Sequence, residues 1–259
     1  MSGPTQAGQV RLDRPAEHVA RFTIDNPPRN ALGTAIRERF LADLDALEAD
    51  TSIRCLIITG TGAAFCSGDD LREMATRGTS AQDSLRQFGR LLARIESFRC
   101  PIIAQVNGFA VGGGLELALC CDLRIASPEA SITAAGVNVG LMASVFRLPR
   151  AIGVARAKRM LLTGLPLDAV TAEQWGLVTD LVGAEVLTEE ALKFASRIAS
   201  RAPLSVEAAK RQSGAAFDHT AEEAQAAART ELDVLSKSAD HREGIAAFAE
   251  RRDPKFTRS

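Results

Sequence analysis

The feature that most constrains this chain is a pattern that occurs twice. A short, nearly continuous apolar run ends in a glycine-containing loop, and a helical pattern follows. The first run is residues 54–59 (RCLIIT), ended by Gly60-Thr61-Gly62. The second is residues 101–106 (PIIAQV), ended by Asn107-Gly108. A strand with one wet face alternates apolar and polar residues, whereas an unbroken apolar run needs cover on both faces. Residues 84–98 between the two runs read as a helix. Buried strands joined by a helical crossover predict parallel pairing in an α/β fold.

The rest of the chain fits around this pattern. Residues 10–12 and 19–24 are β-like and are broken by Asp25-Asn26-Pro27-Pro28. Thr34–Ala49 carries Ile36, Phe40, Leu44 and Leu47 at helical spacing. Residues 115–120 predict a helix, and Leu123–Ala126 and Ser131–Thr133 predict short strands. Beyond Arg147 the pattern is helical over 154–163, 168–175, 185–200, 203–217 and 220–249, with one strand over 177–182. The division expected is a mixed α/β core over residues 1–201 and a helical part over 202–259. The Ala- and charge-rich helices of that last part carry apolar stripes that need a surface to pack on, and a neighbouring subunit supplies one.

Composition excludes several functions. With 259 residues and 46% hydrophobic content the chain can bury a large core. A net charge of −1 gives no global field for nucleic acid or an anionic membrane. Any polyanionic ligand must be met by a local basic group. The five cysteines, Cys55, Cys66, Cys100, Cys120 and Cys121, sit mostly in apolar runs. An odd number of such thiols predicts reduced, buried side chains in a cytoplasmic protein. His18, His219 and His241 are far apart and near none of them, so no metal site is expected. Residues 1–8 lack a signal-peptide pattern, and no apolar run approaches the about 20 residues a membrane span needs. No G-x-S-x-G elbow suggests a serine hydrolase.

Two loops are candidates for chemistry. Residues 64–71 (AFCSGDDL) follow the first buried strand, and Asp70 there suits a helix N-cap. Residues 107–116 (NGFAVGGGLE) follow the second and open a helix. Three glycines at a helix N-terminus expose unpaired N–H groups at the positive end of the dipole. The spacing is neither a P-loop nor a dinucleotide fingerprint. Each loop lies beyond the C-terminal end of a buried strand, where open α/β folds bind ligands. One N–H from each, aimed at one oxygen, would make a two-donor oxyanion hole. Glu116 lies one helical turn inside the second loop.

Two further segments, residues 28–32 (PRNAL) and residues 239–256 (ADHREGIAAFAERRDPKF), complete a set of four in order along the chain. Together they resemble the crotonase (enoyl-CoA hydratase/isomerase) superfamily over nearly the whole sequence. The resemblance implies a spiral of ββα turns with a helical C-terminal region that drives trimerisation, into a homotrimer or a dimer of trimers. It implies an acyl-CoA thioester as substrate, with coenzyme A part of that substrate and no further cofactor. The backbone N–H groups of Asp69 and Gly113 are expected to form the oxyanion hole. Arg29, Ala31, Ser67, Asp70 and Leu71 are expected along coenzyme A. Lys255 and Phe256 fall in a tail that in some relatives reaches a neighbouring subunit's coenzyme A.

The hydratase branch uses two glutamates, one accepting and one donating a proton. Glu116 matches the first. The second position is Gly136, and no carboxylate lies between Glu129 and Asp168. The next segment, residues 140–150 (GLMASVFRLPR), is shorter and more apolar than in most relatives, and Asp69 replaces a small residue. The expectation is therefore hydratase/isomerase-like chemistry with one carboxylate, Glu116. A related reaction (isomerisation, decarboxylation, hydrolysis or cyclisation) is the alternative, with bicarbonate standing in for the lost group as one branch is thought to do. A non-catalytic binder of CoA thioesters would also fit Gly136.

Overall fold

The computed structural model describes residues 8–76 and 81–259. The chain opens with a hairpin of β1 (Gln9–Ala16) and β2 (Val19–Asp25), then α1 (Thr34–Ala49). Three successive ββα turns follow. The first is β3 (Cys55–Gly60), β4 (Ala64–Cys66), and the helices α2 (Leu71–Thr76) and α3 (Ala81–Glu96). The second is β5 (Ile102–Val106), β6 (Phe109–Val111) and α4 (Gly113–Cys120). The third is β7 (Leu123–Ala126), β8 (Ser131–Thr133) and, after a 3₁₀ turn at Ala135–Val139, α5 (Arg147–Ile152) with α6 (Val154–Thr163). Then come β9 (Pro166–Asp168), α7 (Ala169–Gln174), β10 (Asp180–Leu181), α8 (Leu187–Ala199), α9 (Pro203–Gly214), α10 (Ala221–Leu235) and α11 (Ala239–Glu250).

In each turn the first strand joins one sheet and the second joins another. The larger sheet runs β1-β2-β3-β5-β7-β10 and the smaller β4-β6-β8-β9. The pairs β3/β5, β5/β7, β4/β6 and β6/β8 are parallel, as the helical crossovers require. β3 and β5 are covered on both faces. Leu56, Ile58, Ile102 and Ala104 point into the main core with Phe40 and Leu44 of α1 and Leu91 and Ile95 of α3. Cys55, Ile57 and Ile103 point the other way, against Leu187, Ala191, Ala195 and Ala199 of α8. Burying each such Ile or Leu contributes about 2 kcal/mol, so the unbroken apolar run is what seats these strands centrally.

Two predicted elements differ. The strand expected over 177–182 shrinks to Asp180–Leu181. Leu177 and Val178 instead donate their N–H groups to Ala172 O, closing α7. The helix expected over 220–249 is two helices. Ser238 breaks it, since its Oγ accepts from His241 N (3.0 Å) and caps α11. Among the described residues, no helix is long and apolar enough to cross a membrane.

Candidate active site

Both glycine loops lie beyond the C-terminal ends of β3 and β5, and two asparagines hold them there. Asn30 Nδ2 donates to Thr61 O (2.9 Å) and Ala64 O (2.6 Å). Asn107 Oδ1 accepts from Gly60 N (3.1 Å), while its Nδ2 donates to Gly62 O (2.9 Å) and Ala64 O (3.2 Å). β4 then carries the chain to Gly68, which sits at φ +86°, a conformation only glycine adopts easily. A Cβ on Gly68 would lie 2.6 Å from Gly113 N. The two loops therefore touch through bare backbone, and Asp69 follows directly on one side of that contact.

Gly113 opens α4, so its N–H has no carbonyl within that helix to reach. The helix packs on α3, α5, β4 and β6, which fixes where its N-terminus points. Glu116 stands one turn in, half-buried. Its Oε1 accepts a short hydrogen bond (2.6 Å) from Ser144 N. Ser144 holds a left-handed conformation (φ 59°), its side chain is buried, and its Oγ has no partner among the described residues. One carboxylate oxygen is thus anchored by the loop that follows β8.

Gly136 lies in the 3₁₀ turn of that same loop and is buried. Leu141 N donates to Gly136 O (2.9 Å), folding the loop back on the turn. A Cβ at Gly136 would meet Leu141 O at 2.9 Å and Ala143 N at 3.1 Å. The loop occupies the space a side chain would need. Around it Val137, Val139, Leu141, Met142, Val145 and Phe146 are exposed, Met142 at 78%. The 142–146 segment is extended loop and turn, not a packed helix.

The structure brings the first segment to the second. Leu32 N donates to Gly68 O (2.7 Å) and Leu32 bridges Asp69, which places Ala31 beside the Ser67–Asp70 loop. Arg29 is exposed, with its guanidinium 4.5 Å from the centre of the Phe109 ring. Ser67 is half-buried. Asp70 Oδ1 accepts from Arg72 N (3.0 Å) and Glu73 N (3.3 Å), capping α2, and Leu71 is exposed. The fourth segment lies elsewhere. Phe256 O accepts from Arg54 Nη2 (2.8 Å), and Lys255 lines the same hollow as His18 and Arg54. That is the opposite end of β3 from the loops. His241 lies with this tail, and none of the three histidines joins Glu116. Burial pushes the Cys66 thiol up to about 12, so it is no nucleophile at neutral pH. Among the described residues no group of three or more His, Cys, Asp or Glu is arranged to hold a metal.

Three residues went unseen in the sequence: Arg37, Ser84 and Phe88. The Asp69 carboxylate turns inward, accepting from Arg37 Nη1 (2.9 Å) and Ser84 Oγ (2.9 Å). Arg37 is fully buried. Its Nη2 donates to Ser84 Oγ (2.9 Å) and Thr34 Oγ1 (3.1 Å). Next to Ile36 in an amphipathic helix, Arg37 reads as an edge-of-stripe solvated residue. The one signal was the unusual charge at Asp69.

Comparison with known proteins agrees with this architecture. The sequence profile described as enoyl-CoA hydratase/isomerase matches residues 14–259. The chain is 36% identical over 246 residues to the 2,3-dehydroadipyl-CoA hydratase of Escherichia coli, covering 93% of this chain and 95% of that one. It is 39% identical over 250 residues to the (E)-benzylidenesuccinyl-CoA hydratase of Thauera aromatica, covering 93% and 96%. The crystal structure of an enoyl-CoA hydratase from Bacillus anthracis superposes with a TM-score of 0.93 at 31% identity, covering 96% of this chain and 99% of that one. The chain belongs to the enoyl-CoA hydratase/isomerase family, and its paired sheets, ββα turns and helical C-terminal region are the crotonase fold.

Proposed function

We propose that this chain binds an acyl-CoA thioester and stabilises the enolate formed from it, acting as a hydratase-like lyase. The observation that carries the reading is the backbone contact between Gly68 and Gly113, with Glu116 one turn away on the same helix. The N–H groups of Asp69 and Gly113 would receive the thioester oxygen as it gains charge. Preorganised donors of this kind act most strongly where charge develops in the transition state. Arg29, Ala31, Ser67, Asp70 and Leu71 would lie along coenzyme A, with Arg29 exposed to meet its phosphates.

Hydration adds water oxygen to Cβ and a proton to Cα. With one carboxylate, Glu116 accepts the proton as the water attacks Cβ and returns it to Cα as the enolate collapses. Ser144 N, bonded to Oε1, leaves the other oxygen for this transfer. Relatives named as hydratases of 2,3-dehydroadipyl-CoA and benzylidenesuccinyl-CoA support an α,β-unsaturated thioester as substrate.

The closed space at Gly136 favours a second reading within the family, in which a reaction needing a single base, such as isomerisation, replaces hydration. In a variant of it, bicarbonate supplies the second acid–base group. Assembly through the 202–259 helices, as a trimer or dimer of trimers, is part of the proposal. Its support is that α10 buries none of its residues, while Phe217, Leu232, Val234 and Phe248 are exposed.

The test is hydration of crotonyl-CoA, followed as loss of the conjugated thioester absorbance, with and without bicarbonate. Turnover without bicarbonate is the expected result. Tight binding with no turnover under either condition would contradict the hydratase reading.

A further inference from the structure

Resting on the oxyanion reading above, we infer that Arg37 is the positioning residue of the anion-stabilising half of the site. It does so by tying both donor-bearing loops to one buried charge. The first tie is ionic. Arg37 Nη1 holds Asp69 Oδ1, Ser84 Oγ holds Asp69 Oδ2, and Arg37 Nη2 holds Ser84 Oγ, each at 2.9 Å. The side-chain carboxylate of Asp69, the residue whose backbone N–H is a proposed donor, is therefore gripped at both oxygens by α1 and α3.

The second tie is by packing. Phe88 lies one turn beyond Ser84 on α3, with its ring centre 5.9 Å from Arg37 Cζ. The same ring abuts Gly113, where a Cβ would lie 2.7 Å from Phe88 Cζ. The guanidinium thus bonds Asp69 directly and reaches Gly113 only through the Phe88 ring. A planar fork suits this, since it serves several acceptors at fixed angles.

Arg37 has no exposed surface, so it is not a catalytic group. It does not touch the substrate; it acts through Asp69 and Phe88. A buried cation is costly unless paired. The pairing also serves stability, so stability and positioning are read out separately.

The probe is dimethylaminocinnamoyl-CoA, whose absorbance moves to the red when its thioester carbonyl is polarised. Wild type, Arg37→Lys, Asp69→Ala and the double variant Arg37→Met/Asp69→Ala are compared for melting temperature, probe affinity, red shift and turnover. Asp69→Ala strands the buried cation, so melting temperature, red shift and kcat all fall. The double variant removes both charges and recovers melting temperature. Positioning predicts that its red shift stays small and its kcat stays about 100-fold down, with KM little changed. Arg37→Lys, which keeps the charge but not the fork, falls between.

If the double variant regains wild-type red shift and kcat, the pair only neutralises a buried charge, and the inference is wrong. If wild type binds the probe with no red shift, the oxyanion reading itself is overturned, and the inference goes with it.

Discussion

Two loops touch the first turns of α4, one at Gly113 and one at Glu116, and they are built by different means. The Ser67–Asp70 loop is fixed by bonds from several separate elements. Leu32 holds Gly68 O, Arg37 and Ser84 hold Asp69, and Asp70 caps α2. The 135–146 loop is held to itself, to Glu116 and, through Asn138 Nδ2 donating to Gly164 O (3.1 Å), to the end of α6. Its Leu141 N returns to Gly136 O, its Ser144 N holds Glu116, and its apolar side chains are largely exposed. On the proposed reading the first wall would serve a need common to every enolate, a rigid place for negative charge, and the second would set which proton moves and which acyl group fits. The altered residues at Gly136 and in the 140–146 segment therefore change the reaction's specifics more than its principle.

The largest effect expected is at Glu116. Glu116→Gln should cut kcat by about 100- to 10,000-fold, the range one positioned acid–base group supplies, while acyl-CoA affinity measured by calorimetry stays near wild type. The first wall comes next. Gly68→Ala puts a Cβ 2.6 Å from Gly113 N at a positive φ, so the two loops must part. Loss of a donor costs about 100- to 1000-fold in rate, and steady-state kinetics on crotonyl-CoA would register it. A variant with unchanged kcat would mean that the apposed loops do not stabilise charge.

The second wall should respond differently. Gly136→Glu places a carboxylate at the position where the family resemblance leads one to expect a second glutamate, yet its Cβ meets Leu141 O and Ala143 N. The expected outcome is no gain in hydration rate and a loss of about 1–3 kcal/mol in denaturant unfolding, the usual cost of overpacking. A stable variant with faster hydration would show that the loop yields, and the contrast between the walls would weaken.

The smallest effect lies outside both walls. Glu207 is buried between Arg99 and Arg258, each at 3.0 Å. Burial pushes its carboxyl up, but the bonds from Arg258 and Arg99 outweigh that and hold it below the usual carboxylate range. A depressed folded value stabilises above the unfolded value and loses that contribution as pH falls through the folded one. Glu207→Gln should therefore cost about 1 kcal/mol at pH 7. The gap in melting temperature to wild type should close as pH drops below the ordinary range near 4. A gap independent of pH would show that the carboxylate's charge is not what counts.

Much of the first wall was legible in the sequence. Unbroken apolar runs marked β3 and β5, and the glycines after them marked loops that approach each other. All four strands of the smaller sheet are three residues long, too short for a period of two to register, and only β8 was legible in the sequence. Arg37 was missed because one polar residue beside an apolar stripe looks solvated until its partner is known. That partner, Asp69, is 32 residues away. Gly136 was read as a missing carboxylate, but its crowding by Leu141 and Ala143 depends on how the loop turns back, which composition does not encode.

On the proposed reading, one wall stabilises an enolate while Glu116 alone moves the proton. Hydration of crotonyl-CoA in D2O, with mass spectrometry of the product, tests it most directly in wild type and Glu116→Gln side by side. Wild type is expected to give one deuterium at Cα, and the variant, which still binds the thioester, to form that labelled product about 100- to 10,000-fold more slowly. A variant that forms labelled product at the wild-type rate would contradict that reading.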